Sequence, residues 1–222
     1  MFDRHAARFA AGCAHFGLRK APDAAALERA AAELARSSGL AQGVLRWSAW
    51  RGPSGEGWGM RIEPPRPHTL KPSWRAAVSQ VRLPPPDPDR PFKHLGRRAW
   101  AEALAAARAA GWDEVLLADG QDRIVEGAVS NVFCVLGGRL RTPDLGSGPL
   151  PGLARARVLE LAAGRGIPAE EAPVGLAELD AADEVFLTNA LAGPVPLSRI
   201  GGRELPAPGP VASVLRAAWL EA

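Results

Sequence analysis

The chain has 222 residues, 47% of them hydrophobic, which suits one large or two small domains and a core that needs no disulfide or metal staple. Its 27 basic and 24 acidic residues give a net charge of +3 and are interspersed, which argues against a nucleic-acid stripe and for a mildly basic surface that welcomes an anionic small molecule. Cys13 and Cys134 each stand in an apolar run and read as small buried hydrophobes of a reducing compartment, not as a disulfide or metal pair. The charged start, MFDRHAARFAAG, holds no apolar stretch of signal-peptide or membrane-spanning length, so the expectation is a cytoplasmic protein with no membrane and no nucleic-acid partner.

Phe2, Phe9, Cys13 and Phe16 fall near multiples of 3.6 and predict an amphipathic helix over 2–16, with His5 and Arg8 sharing a face. Pro22-Asp23 signals a second helix over 24–36, with Leu27, Ala31 and Leu34 inward. Residues 44–50 alternate as a strand, and RGPSGEGWG at 51–59 reads as glycine-rich punctuation before a further extended stretch. A strand at 75–83 is followed by PPPDPDRP, where prolines 84, 85, 86, 88 and 91 exclude regular structure and predict an extended linker. The expected domains are therefore 1–83 and 93–222, joined by 84–92.

Beyond the prolines the pattern predicts a helix over 95–110 and short strands at 114–118, 124–126, 131–136 and 139–141, with turns at Asp119-Gly120 and Gly137-Gly138. Pro151-Gly152 opens a helix over 153–163, and 183–188 is the last expected strand before GPVPLSRIGGREL and a short closing helix. The mixture is α plus β in two unequal parts.

Lys93 is the first candidate for chemistry. Lysines are usually solvated surface charges, but the chain has only three, Lys20, Lys71 and Lys93, amid abundant arginine. Only a deprotonatable amine forms a Schiff base, a role arginine cannot take. Glu126 ends a short apolar strand, where a carboxylate is costly without a positive partner; a pyridinium nitrogen is one such partner, and an edge-strand glutamate facing water is the plainer alternative. In PLPGLARARVLEL the amides of Leu153 and Ala154 stand at a helix N-terminus, suited to a phosphate. Asn189 and Ala190, in LTNALAGPVPL, offer a second set of amides after a strand, and Arg8 offers a bidentate grip on phosphate.

Taken in order, Lys93 in KHLGR, Glu126 in DEVLLADGQDRIVEGAVSNVF, then TPDLGSGPLPGLAR and ADEVFLTNALAGPVPL resemble the motifs of the class IV pyridoxal-phosphate aminotransferase family. Upstream, RHAAR resembles the family's helix whose arginine grips the cofactor phosphate, here Arg8, and LRWSAWRGPSGEGWG resembles its strand and glycine loop beside the substrate. The KHL form and the NAL segment look most like the aminodeoxychorismate lyase branch. The sequence departs from that branch at Gly96, where asparagine is usual, at Glu56, where a second arginine is common, and at Trp58, where tyrosine is usual. The resemblance also starts at the arginine-bearing helix, without the strands that precede it in family members.

The resemblance implies an α+β, two-domain class IV aminotransferase (D-amino-acid aminotransferase-like) fold with a truncated N-terminal domain, and pyridoxal 5'-phosphate as cofactor. Lys93 would hold the cofactor and then serve as base, Glu126 would keep the ring nitrogen protonated, and Arg8, Leu153, Ala154, Asn189 and Ala190 would bind it. Arg51 would meet a substrate carboxylate; its plainer reading is a surface arginine in a loop. The implied reaction converts 4-amino-4-deoxychorismate to 4-aminobenzoate and pyruvate, a folate-biosynthesis step, in a homodimer with no metal. The alternatives are a D-amino-acid or branched-chain aminotransferase and a truncated, non-catalytic homologue.

Overall fold

A computed structural model describes residues 1–221, and the chain separates after Leu70 into two units, Met1–Leu70 and Lys71–Ala222. The first unit carries α1 (Phe2–His15), α2 (Ala24–Ser38) and an antiparallel hairpin of β1 (Val44–Gly52) and β2 (Gly55–Glu63). Phe2 and Phe9, seven apart on one face of α1, both reach the Trp47 ring of β1, with centroids 5.3 and 6.0 Å away. The Asp23 side chain accepts from the Ala26 amide at 2.7 Å and so starts α2 where the sequence signals it.

The stretch 51–59 is no loop. Its turn is confined to Pro53-Ser54, and Gly55 already begins β2. Gly57 sits opposite Trp50, and a Cβ there would lie 2.9 Å from the indole Cζ2, so the glycine makes room for a cross-strand tryptophan inside a strand.

The second unit is built on β3 (Trp74–Leu83), α3 (Arg98–Ala109), β4 (Glu114–Asp119), β5 (Arg123–Gly127), β6 (Asn131–Leu136), β7 (Arg139–Thr142), α4 (Leu153–Gly164), β8 (Ala169–Glu171), β9 (Val174–Gly175), α5 (Leu176–Ala181), β10 (Glu184–Asn189), β11 (Gly193–Ile200), β12 (Arg203–Glu204) and α6 (Pro210–Leu220). Its strands form one curled sheet in the order β8-β7-β6-β10-β11-β3-β4-β5-β9, with β12 beside β11. Strand alternation divides the core into an inner and an outer layer. Leu116, Ala118, Val132, Cys134, Val185 and Leu187 share one cluster. Their alternates on β6 and β10, Phe133, Val135 and Phe186, pack with α4 and α6, while Val115 and Leu117 of β4 pack with α3. Central strands covered on both faces read as unbroken apolar runs, as EVLLAD, NVFCVL and EVFLTN do. Cys13 and Cys134 are both buried and free. No helix among the described residues is long and apolar enough to cross a membrane.

Two further expectations change. β3, placed N-terminal of the linker by sequence, pairs with β4 and β11 in the second unit's sheet, so the division falls at Leu70 rather than in the proline run. The run itself is folded in rather than extended. Arg90 is buried, its Nη2 donates to the Pro84 carbonyl at 2.8 Å, and its guanidinium lies 4.7 Å from the Trp100 ring centroid.

Residues 193–200, read as a segment beyond the last strand, form β11 despite Pro194 and Pro196. Two apart, these prolines direct their missing donors to the same edge. They pair only with β10, and β3 joins β11 from Leu197 onward.

Candidate functional site

Glu126, in β5, is 2% exposed, and burial raises its pKa; the Arg97 charge is the largest opposing influence. Its Oε1 accepts from Arg97 Nη2 at 2.6 Å and from Trp100 Nε1 at 2.9 Å, and its Oε2 accepts from the Leu150 amide at 2.9 Å. Arg97 is the N-cap residue of α3 and Trp100 lies three positions on, so one end of one helix supplies both side-chain donors.

The same polar chain continues to the start of α4. Asn131 Nδ2 donates to the Leu150 carbonyl at 2.9 Å, so Leu150 joins Glu126 through its N–H and Asn131 through its C=O. Gly152 is the N-cap of α4 with no side-chain cap, and a Cβ on it would land on Asn131 Oδ1. The amides of Leu153 and Ala154 therefore open α4 without an intrahelical acceptor, in reach of an anionic group. Asn131 pairs with Thr188 across β6 and β10, which brings the strand end before Asn189 alongside. The Asn189 side chain closes its own turn by accepting from Leu191 N at 3.0 Å and Ala192 N at 2.9 Å, with exposed Ala190 at the tip.

Glu114 fixes the turn that follows Glu126. This wholly buried carboxylate accepts from the amides of Val115, Ala128 and Val129 and from Ser130 Oγ, at 2.9 to 3.2 Å. Burial raises its pKa, and these donors oppose the rise.

Lys93 is exposed, in irregular chain between the Arg90 turn and α3, four positions before the arginine that holds Glu126. At Gly96, where a Cβ would lie 2.8 Å from His94 Nδ1, the amide donates to that nitrogen at 3.0 Å. The structure thus gathers Glu126, Leu153, Ala154 and the strand end before Asn189 around one hydrogen-bonded chain, with Lys93 on the segment leading to it.

Arg8 and Arg51 belong to the first unit. Arg8 is half-buried on α1, and burial lowers its pKa. Arg51 is engaged: Nε and Nη2 donate to Glu56 Oε1 at 3.0 and 2.7 Å, and Nη2 also to the Gly17 carbonyl at 2.5 Å. Glu56 Oε2 accepts from the Arg19 and Lys20 amides, and the Arg51 hydrogen bond leads the influences that hold its carboxyl below the usual range.

Sequence reasoning missed Arg97, Trp100, Asn131 and Glu114. The available signals were slight: an arginine four after the key lysine, a tryptophan three further on, and a lone glutamate opening the apolar run EVLLAD.

The residues of the second unit fit pyridoxal phosphate. An uncapped helix N-terminus suits its phosphate, and a buried carboxylate suits its ring nitrogen. Arg97 Nε and Thr188 Oγ1, buried without a hydrogen-bond partner among the described residues, suit a ligand rich in polar groups.

Residues 1–200 match the model of a family described as amino-transferase class IV. A Thermotoga maritima protein assigned as a branched-chain-amino-acid aminotransferase is 43% identical over 104 residues, 46% of this chain and 38% of that one. The match thus spans well under half of that relative. A branched-chain aminotransferase from Thermoproteus uzoniensis, solved with norvaline, superposes with a TM-score of 0.89 at 28% identity, covering 98% of this chain and 77% of that one. A Brucella abortus aminotransferase bound to pyridoxal phosphate gives 0.87 at 26% identity over 99% and 82% of the two chains. A Legionella pneumophila protein assigned as a 4-amino-4-deoxychorismate lyase gives 0.88 over 100% and 85%, at 19% identity, which speaks to fold alone.

Proposed function

Because this chain belongs to the class IV aminotransferase family, which uses pyridoxal phosphate, we propose that it transfers the amino group of an amino acid to a keto acid, with Lys93 as the residue that carries the cofactor. The observation that carries this reading is the buried Glu126 carboxylate, joined through Leu150 to the chain that leads into the open N-terminus of α4. When bound, pyridoxal phosphate supplies a conjugated ring that takes up the electron pair released at the amine-bearing carbon.

The rest is work for the protein's own side chains. Lys93 Nζ would hold the cofactor and would serve as the base that takes the proton from the amine-bearing carbon. For amino transfer Lys93 would pass that proton on, water would release the keto acid, and the amino group left with the cofactor would go to a second keto acid. Glu126 would accept from the ring nitrogen. The amides of Leu153 and Ala154 and the turn at Asn189 and Ala190 would hold the phosphate, a role that the family resemblance also gives to Arg8. Arg51 would meet a substrate carboxylate by exchanging Glu56 for it.

Branched-chain amino acids are the first donors to try, since the 43% identical relative is so assigned. The lyase reaction is the second reading, favoured by the KHLGR form of the lysine segment. Incubating the cofactor-loaded chain with leucine, and separately with 4-amino-4-deoxychorismate, separates the two. Release of the matching keto acid from leucine supports amino transfer; 4-aminobenzoate with pyruvate supports the lyase; neither product, with cofactor bound, rejects both. A homodimer is part of the proposal, and light scattering of the purified chain tests it.

A further inference from the structure

Glu126 is a buried carboxylate with unequal oxygens. A carboxylate oxygen has two acceptor positions. Oε1 fills both, with Arg97 Nη2 at 2.6 Å and Trp100 Nε1 at 2.9 Å, whereas Oε2 takes a single donor among the described residues, the Leu150 amide at 2.9 Å. The Arg97 and Glu126 side chains are 15% and 3% exposed, so the pair lies in a low-dielectric setting where a charge partner acts strongly. Arg97 is itself held: its guanidinium lies 4.6 Å from the Trp100 ring centroid.

We propose that Arg97 is a positioning residue that keeps Glu126 in its carboxylate form and, by saturating Oε1, turns Oε2 toward the cofactor's ring nitrogen. Burial favours the neutral acid, and an acid would hold its own proton rather than accept one from the ring. With Arg97 in place the carboxylate is retained and the shared proton stays on the ring nitrogen. Oε2, the oxygen offered, also accepts from the Leu150 amide, three residues before α4 begins. Arg90, from the proline run, is a further charge that acts on Glu126, and it lies over the same tryptophan. Arg90 Nη2 donates to the Pro84 carbonyl, whereas Arg97 is the arginine hydrogen-bonded to the carboxylate.

The part of this proposal that faces the cofactor rests on the function proposed above; the hold on Glu126 does not. The test starts with the cofactor-free chain labelled with 13C at glutamate side-chain carboxyls, the Glu126 resonance being identified by its loss in Glu126→Gln. Arg97→Gln keeps a hydrogen-bond donor and removes the charge; Arg97→Lys keeps the charge. The Glu126 titration midpoint should rise by roughly 1–3 pH units in Arg97→Gln and by clearly less in Arg97→Lys, a rescue that a merely structural role would not give. A midpoint in folded Arg97→Gln equal to the parent's overturns the proposal.

The second arm uses the chain loaded with cofactor labelled with 15N in the ring. The ring nitrogen should report as protonated in the parent and move toward the unprotonated position in Arg97→Gln. An unmoved 15N resonance overturns the cofactor-facing half. A parent that takes up no cofactor overturns that half together with the proposed function, while the 13C titration still decides whether Arg97 holds Glu126.

Discussion

The two units hold their polar groups in opposite ways. In Met1–Leu70 the buried apolar side chains among the described residues are Ala6, Cys13, Leu27 and Ala31, and the main polar tie, Arg51 with Glu56, is half in solvent. In Lys71–Ala222 the sheet is covered on both faces, and Glu114, Glu126 and Glu184 are buried carboxylates, each met by at least two donors. An exposed tie can exchange partners at little cost, whereas a buried one is fixed by everything packed around it. The buried carboxylates of the second unit are therefore fixed by their surroundings, whereas the Arg51–Glu56 tie of the first can exchange partners.

Substitutions that probe packing should separate the units most sharply. Phe186→Ala removes a fully buried ring stacked 5.0 Å from Phe133 and should destabilise the chain by about 3–5 kcal/mol in urea unfolding. A loss below about 1 kcal/mol would mean that this layer is loosely packed. Gly152→Ala, which drives a Cβ into Asn131 Oδ1, should cost about 1–3 kcal/mol and weaken cofactor uptake, because Asn131 must release Leu150. Unchanged uptake would separate α4 from the cofactor.

Acid–base behaviour sharpens the contrast. Burial raises Glu126, so its contribution to stability is full below the unfolded value of about 4.3 and is lost as pH rises through the folded value. Glu126→Gln should flatten that decline in a thermal-melt series on the cofactor-free chain. Glu56 is lowered, chiefly by the Arg51 hydrogen bond, so its contribution is present above its ordinary range and is lost as pH falls through the folded value. Glu56→Gln should therefore act at the acid end. Profiles that both track the parent would remove the contrast. The smallest effect belongs to Gly57→Ala: the atoms nearest its new Cβ belong to the half-exposed Trp50 ring, which can shift toward solvent, and stability should stay within about 0.5 kcal/mol.

Much of this architecture could be read from residue order. Apolar runs marked β4, β6 and β10, and Asp23 and Gly152 marked helix starts, because these signals are local. What stayed hidden depends on partners distant in sequence. Residues 193–200 read as a segment beyond the last strand until pairing with β10 and β3 showed which edge of Pro194 and Pro196 needs no donor. Arg90 read as linker until Pro84 and Trp100 folded the prolines inward. In the site, Glu126 was legible as a carboxylate in need of a positive partner, but Arg97 as that partner in the protein itself was not, since 29 residues separate the two.

The most direct test of the account is titration of the purified chain with pyridoxal phosphate, followed by visible absorption, with Lys93→Ala as control. The account expects a band from covalently held cofactor in the parent and none in the variant. Equal bands in both would show that Lys93 does not carry the cofactor and would contradict the assignment on which the proposed function rests.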